Sequence, residues 1–476
     1  MKNQKTMAFL SLVLAGILGT LAYDNWQTEN DELAEKSKSK LVDIEFADVS
    51  SVEVLSGSSE GSAVEKIVLE RDDATWSIVS PIKDKADKSA VEAFIKSVTE
   101  YKYTKVVGNS KAEWAKFGLG EEARTIQLHT PTGKKAKVYL GSKAPVGYNC
   151  YSATDAGESV YLGSQHLLMS TEKDLNHFRD KNIFNIDESG LNGLSYFEKS
   201  PMGADTRFAI HEGEKGWTIA STGGAKATYD ADKNEVRNYV DVLNGIKATG
   251  FVDSADEKLL KALANPDIVI EALYKDGRRM TTFAAKVENQ FYLTFDAKIK
   301  VFLINEVDYD KLARSVLSFR DKKIFTVTSE DVTSVIIDGS AYNRVEGEWY
   351  SATDAAKVDA NKDKRAESVM QANVQVSAFL VDLLFTKAVG FYSQEIANKL
   401  AGQKPPLHAV TLKLAGENEI SVKVYKMAQE SSKLLLHKSG TSQVFEISND
   451  ILNSFEDLTD DEISPVAGDL DQKNNG

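Results

Sequence analysis

Three tryptophans constrain this chain more than any other feature, because each is the centre of the same small pattern. A tryptophan closes a short apolar run, an Ala-(Asp/Asn)-Lys triplet follows, and a Lys-x-x-Gly segment comes later. The first set is Trp76, Ala86-Asp87-Lys88 and Lys105 to Gly108; the second is Trp217, Ala231-Asp232-Lys233 and Lys247 to Gly250. The third is Trp349, Ala360-Asn361-Lys362 and Lys387 to Gly390. Trp76 and Trp217 are 141 residues apart, Trp217 and Trp349 132. A period of that length is a small domain, not one turn of a solenoid, so the pattern predicts a tandem array. With 476 residues there is room for three such units, each burying its own core.

A second repeat marks the joints. Phe178-Arg179-Asp180-Lys181 recurs as Phe319-Arg320-Asp321-Lys322, again 141 residues on, and each precedes the opening strand of the next unit. At the end of the third unit only Phe455-Glu456-Asp457-Leu458 remains. A motif that degrades where no unit follows reads as a connector between neighbours, not as a site within each. Units are therefore expected at residues 40–184, 185–325 and 326–464, with a polar, acidic tail at 465–476.

Within each unit, short alternating runs predict strands and one segment predicts a helix. In the first unit the strand runs are 52–54, 67–69 and 75–78, then 125–129, 136–140, 150–152 and 160–162. Asp87 is placed to cap a helix carrying Val91, Phe94, Ile95 and Val98 at helical spacing, and Asp232 and Asn361 are the matching caps. Lys-x-x-Gly, ending at Gly108, Gly250 and Gly390, reads as a turn closing the helical segment. Ser110, Ser254 and Ser393 are placed to open a second, short helix. The expected class is α+β: three tandem repeats, each a mainly antiparallel sheet with one long and one short helix, after an N-terminal transmembrane helix. The three tryptophans are expected in the cores.

The amino terminus carries its own signal. Residues 1–5 hold two lysines; residues 6–23 hold no charged side chain; residues 24–39 form a Glu- and Lys-rich stalk. Eighteen residues at about 1.5 Å each span roughly 27 Å, close to a bilayer core. Lysines before the stretch and acids after it predict an inside amino terminus and a bulk placed across the inner membrane, in the periplasm. An uncleaved anchor is favoured over a cleaved signal peptide because the apolar run is long and the Thr20-Leu21-Ala22 site is weak.

Composition and motif spacing argue against several chemistries. A net charge of -14 repels nucleic-acid phosphates. A single cysteine, Cys150, allows no internal disulfide and reads as a small buried side chain. The six histidines, at 129, 166, 177, 211, 408 and 437, stand singly, without zinc-site spacing. Gly57-Ser58-Ser59-Glu60-Gly61 matches the nucleophile-elbow pattern of serine hydrolases, but it sits in a Ser/Gly loop between strand runs, with no counterpart in the other units. The acid clusters Glu330-Asp331 and Asp460-Asp461-Glu462 lack the alternating ligands of a calcium loop. No phosphate-cradling glycine loop is present, so ATP binding is not expected, and no cofactor or metal is.

Leu69-Glu70-Arg71, Trp76, Ile78, Pro81, Ala86-Asp87 and Phe117-Gly118-Leu119, in that order, resemble the bacterial family called domain of unknown function 4340, over roughly residues 40–184 with weaker copies to about 460. The resemblance implies an envelope protein with one amino-terminal membrane segment, encoded beside ABC-type permeases, their ATPases and gliding-motility-type auxiliary proteins. It implies no catalytic residues. The later units depart from the pattern: Glu212 stands five residues before Trp217, where the first and third units have Arg71 and Arg344. The expected function is a non-catalytic accessory or scaffold of an ABC-type transport system, with a permease and auxiliary membrane proteins as partners. A glycan-binding or adhesive envelope protein and a cell-envelope hydrolase are the alternatives. The acting residues are expected among those that do not repeat.

Overall fold

The computed structural model describes residues 39–55, 66–201, 203–221, 227–295, 300–352, 367–393, 395, 396, 399, 405–416, 418–426, 433–441 and 443–459. The apolar stretch 6–23, the stalk up to residue 38, Ser59, Asn361, the cluster at 460–462 and the tail lie outside the described residues.

In the first repeat, strands Ser51–Leu55, Lys66–Asp72, Thr75–Ser80 and Asp84–Lys85 form an opening meander. Helix Lys88–Thr99 and strand Lys102–Gly108 follow. A 3-10 turn, Lys111–Phe117, then leads to a closing meander of Arg124–His129, Lys135–Lys143, Asn149–Thr154 and Val160–Ser164. Two antiparallel pairings make one sheet of these parts. Arg124–His129 lies against Ser51–Leu55, and Val160–Ser164 lies against Lys102–Gly108.

The other two repeats have the same wiring. In the second, the opening meander runs from Leu191–Glu198 to Ala227–Asp230, and the long helix is Lys233–Gly245. Strand Gly250–Val252, helix Glu257–Ala264 and a closing meander from Ile268–Tyr274 to Val301–Ile304 complete it. In the third, the opening meander starts at Val332–Ile337, the long helix is Glu367–Phe385, and strand Gly390–Ser393 pairs with the last strand, Gln443–Ile447. Each closing meander again begins against the first opening strand, as at Leu194 opposite Ala272 and Val335 opposite Leu412. Among the described residues the sheets hold ten, nine and eight strands, and these pairings are antiparallel.

This overturns the expected α+β class. The fold is mainly antiparallel β, in three sheets, with few and mostly short helices. The error has a local cause. Lys105 to Gly108 is not a turn but the end of a strand, whose Val106 and Leu162-facing Lys105 pair with Val160–Ser164. Gly250 and Gly390 likewise open strands. Backbone groups in these segments are satisfied by ladders rather than by a helix end. Ser254 does not cap the second helix either; Asp256 does, accepting from Leu259 N at 2.7 Å. Ser393 ends a strand. Among the described residues no helix is long and apolar enough to cross a membrane, so the described structure lends no support to single-pass anchoring.

In the first two repeats helical segments cover both faces of the sheet. In the first, Val91, Phe94, Ile95 and Val98 of the long helix pack on Val52, Leu69, Trp76, Ile126 and Val138 of one sheet face. The alternation in Ser51–Leu55, where only Val52 and Val54 are buried, puts the other side chains on the opposite face. The 3-10 turn covers part of that opposite face: Trp114 and Phe117 sit against Tyr139, Tyr151, Ala153 and Val160. Helix Glu257–Ala264 does the same in the second repeat, with Leu259 and Leu263 on Ala285, Tyr292 and Val301.

By internal contacts the chain divides into two compact units. One comprises Met1–Ile186, Val242–Pro266 and Thr282–Lys311; the other comprises Asp187–Asp241, Asp267–Thr281 and Leu312–Gly476.

Candidate functional site

The repeated residues converge, and what they build is a joint. In the first unit Ala86 N donates to Trp76 O at 3.1 Å, and Asp87 N donates to Phe178 O at 2.8 Å. Asp180 N then donates to Lys85 O at 2.9 Å, so Phe178-Arg179-Asp180 runs as a short strand beside Lys85-Ala86-Asp87. On its far side the same segment meets the next repeat: Ala248 N donates to Lys181 O at 2.9 Å, with Asn182 bridged to Lys247. The second joint repeats each bond. Ala231 N reaches Trp217 O, Asp232 N reaches Phe319 O, Asp321 N reaches Asp230 O, and Ala388 N reaches Lys322 O. The tryptophan strand, the Ala-Asp cap, the connector and the Lys-x-x-Gly segment are thus parts of one two-sided backbone pairing.

Side chains lock it. Phe178, fully buried, meets Phe94 of the long helix edge-on at 5.4 Å, and Phe319 meets Tyr239 at 5.3 Å. Arg179, 1% exposed, is the largest buried charged side chain among the described residues. Its Nε donates to Asp84 Oδ2 at 2.7 Å and its Nη1 to Asp253 Oδ2 at 2.8 Å. Its guanidinium lies 3.9 Å from the centroid of the Phe251 ring, and Lys300 Nζ donates to the other Asp84 oxygen at 2.7 Å. Burial opposes ionisation of Asp84, but the bonds from Lys300 and Arg179 overcome it and hold its carboxyl below the usual aspartate range. Asp180 behaves likewise, burial being offset by Lys85 and Asn182. Arg320 is held differently, between the rings of Phe391 at 3.4 Å and Tyr229 at 4.0 Å, with Gln443 Oε1 accepting from its Nη2 at 2.9 Å.

The remaining repeated positions are structural. Trp76, Trp217 and Trp349 are 2%, 9% and 3% exposed, and Asp87 caps its helix by accepting from Ala90 N at 3.1 Å. Asp232 accepts from Asn234 N at 2.8 Å. Gly250 and Gly390 allow close approach to Leu303 and Glu446 on the neighbouring strand, and Gly108 lies against Phe117 and Val160. Cys150 is buried beside Tyr101, and burial pushes its thiol pKa up, the wrong direction for a nucleophile. Among the described residues no group of three or more His, Cys, Asp or Glu could hold a metal ion.

A feature whose lining differs between repeats is a cleft of about 250 Å³ in the second compact unit. Glu188, Glu212, Trp217, Lys233, Arg237 and Lys275 supply its polar lining. Glu212 is the cross-strand partner of Trp217, as Arg71 is of Trp76 and Arg344 of Trp349. In the outer repeats the arginine lies over the indole, at 5.8 and 5.9 Å, and donates to a backbone carbonyl, Ala47 O or Ser329 O. Glu212 can do neither. Its Oε2 is 3.0 Å from Lys275 Nζ, and Arg237 Nε donates to Glu188 Oε1 at 2.5 Å. The Trp217 indole nitrogen is buried with no hydrogen-bond partner. The Arg-to-Glu departure at residue 212 was visible in the sequence; that Lys233, Arg237 and Lys275 would gather around it was not.

Fold and joints together define a tandem antiparallel-sheet protein built on a repeated connector. Residues 76–266 and 229–395 match the family described as Domain of unknown function (DUF4340), in two overlapping copies, and the chain belongs to that family. The matches start at Trp76 and Tyr229 rather than near residue 40, so each spans a long helix, a closing meander and the next repeat's opening strands. No curated protein matches the chain.

Proposed function

We propose that the protein is a non-catalytic scaffold of the cell envelope, an accessory to an ABC-type transport system that binds a permease and its auxiliary membrane proteins. The observation that carries the reading is the use made of the repeated residues. Tryptophan, cap, connector and glycine all serve pairing, capping and packing, so what has been multiplied is a joint and a sheet. Multiplied sheets supply strand edges and faces, which are the usual places for protein partners to dock. Family membership supports the reading through the gene context that the resemblance implies. Placement at the inner membrane, with the bulk of the chain in the periplasm, is part of the proposal and rests on the residue pattern of positions 1–35 alone.

The test is isolation of the full-length chain from its native membranes in a mild detergent. Co-purification of a permease and an ATPase in fixed ratio is the expected result. Recovery as a free monomer, with neither protein enriched, would overturn the proposal.

A further inference from the structure

The long helix of the third repeat is apolar on the side turned away from its core. Phe94, Tyr239 and Phe379 mark equivalent places in the three long helices, because they meet Phe178, Phe319 and Phe455 edge-on. Counted from these residues, the positions five and one before, and two and six after, are exposed in every repeat. They hold Ser89, Ala93, Lys96 and Glu100 in the first repeat, and Asn234, Asn238, Asp241 and Gly245 in the second. In the third they hold Val374, Ala378, Val381 and Phe385, of which the valines and the phenylalanine are 68%, 49% and 78% exposed. The opposite side of this helix, with Val376, Phe379, Leu380 and Leu383, is already buried in the core of the repeat. A helix apolar on both sides calls for a second cover.

The spacing selects what that cover is. Steps of four, three and four residues put the exposed side chains on one narrow seam, as in a coiled coil. An identical helix laid antiparallel across it sets Val374 opposite Phe385 and Ala378 opposite Val381. Every layer then joins a larger side chain to a smaller one, and the seam is its own complement, as a twofold dimer requires. No charged residue stands in the seam. At its side, Gln375 Nε2 donates to Asp457 O at 2.8 Å and Asp382 Oδ2 accepts from Ser454 Oγ at 2.5 Å. The antiparallel register brings Asp382 to Gln375 of the second copy, not to another acid. A seam of this length, about 18 Å, is smaller than a lasting interface needs, so the pairing is reversible.

We propose that this face is a self-association surface, through which two copies of the chain pair antiparallel by helix Glu367–Phe385. Sedimentation velocity of the full chain in a mild detergent, from about 1 to 200 µM, should show a monomer–dimer equilibrium with a Kd of about 10–100 µM. Val381→Asp, which installs the residue of the second repeat, and Phe385→Glu, which installs that of the first, should each weaken it about tenfold or more. Both positions are exposed, and unchanged thermal unfolding checks that the fold is kept. Cysteine cross-linking reads the register, since the native Cys150 is buried. A mixture of Val374→Cys and Phe385→Cys chains should form a disulfide-linked dimer on mild oxidation. Neither should do so by itself, because its two thiols would lie about 16 Å apart along the seam. Asp241→Cys, on the polar face of the second repeat, should not cross-link either. A monomer throughout the range, whether or not another protein is held on this face, would overturn the proposal. So would association unchanged in both charge variants, or cross-linking of either Val374→Cys or Phe385→Cys alone.

Discussion

Arg179 holds a buried charge in place with two carboxylates and one aromatic face, Asp84 from one strand and Phe251 and Asp253 from strand Gly250–Val252 and its end. Such an arrangement is costly to half-remove. Arg179→Ala leaves Asp84 with Lys300 and the Lys85 amide, and Asp253 with no partner among the described residues, and a loss of about 3–5 kcal/mol in urea-unfolding stability is expected. Acid sensitivity follows from the same cluster. Because the folded-state pKa of Asp84 lies below the unfolded value of about 3.9, its contribution is full above that value. It fades as pH falls through the lower folded pKa, where the carboxylate takes up a proton. Asp84→Asn should therefore be less stable than the parent near neutrality, with the gap narrowing as the medium is acidified below about pH 4. Unfolding curves at neutral and acid pH check it; a gap that is constant with pH would remove the role given to the ionised form.

At the scale of elements, the short 3-10 turn Lys111–Phe117 depends on a missing side chain. A Cβ at Gly141, in strand Lys135–Lys143, would stand 2.2 Å from the Phe117 carbonyl oxygen, a backbone atom that cannot swing aside. Gly141→Ala should lift the turn off the sheet and cost about 1–3 kcal/mol, read by thermal unfolding and by increased exposure of Trp114 to a fluorescence quencher. Elements set by local chemistry were legible in the sequence. The Asp87 cap and the helical spacing of Val91 to Val98 need only neighbours a few residues away. Lys102–Gly108 was not legible as a strand, since its partner lies about 55 residues on and its burial pattern shows no clean alternation. The cleft was half legible: Glu212 broke a repeat, but the lysines around it come from a helix start and a distant hairpin.

At the scale of the whole molecule, the two connectors belong to different compact units. The partners of Arg179 (Asp84, Phe251 and Asp253) lie in the first, and those of Arg320 (Tyr229, Phe391 and Gln443) in the second. Removing either arginine should therefore loosen a different set of amides. In Arg179→Ala, hydrogen exchange should quicken at Gly250–Val252 and Asp84–Lys85, with Gly390–Ser393 unchanged; in Arg320→Ala the pattern should reverse. Mass-spectrometric exchange at peptide resolution would distinguish this from a uniform loss of protection.

The two-sided pairing of the connector also makes it interchangeable. Phe178 finishes the core of the repeat behind it, and Lys181 starts the strand of the repeat ahead, so the seam between modules falls inside four residues. Joining Phe178 directly to Arg320 would regenerate Phe-Arg-Asp-Lys, excise one whole period and leave a two-sheet chain with no cut strand. Phe455 packs edge-on against Phe379 at 5.0 Å but is followed by Glu456 rather than arginine, so there the plug is kept without the coupling. Chains of this kind can change length by recombination at the seam, gaining or losing a sheet in one event while each core stays intact.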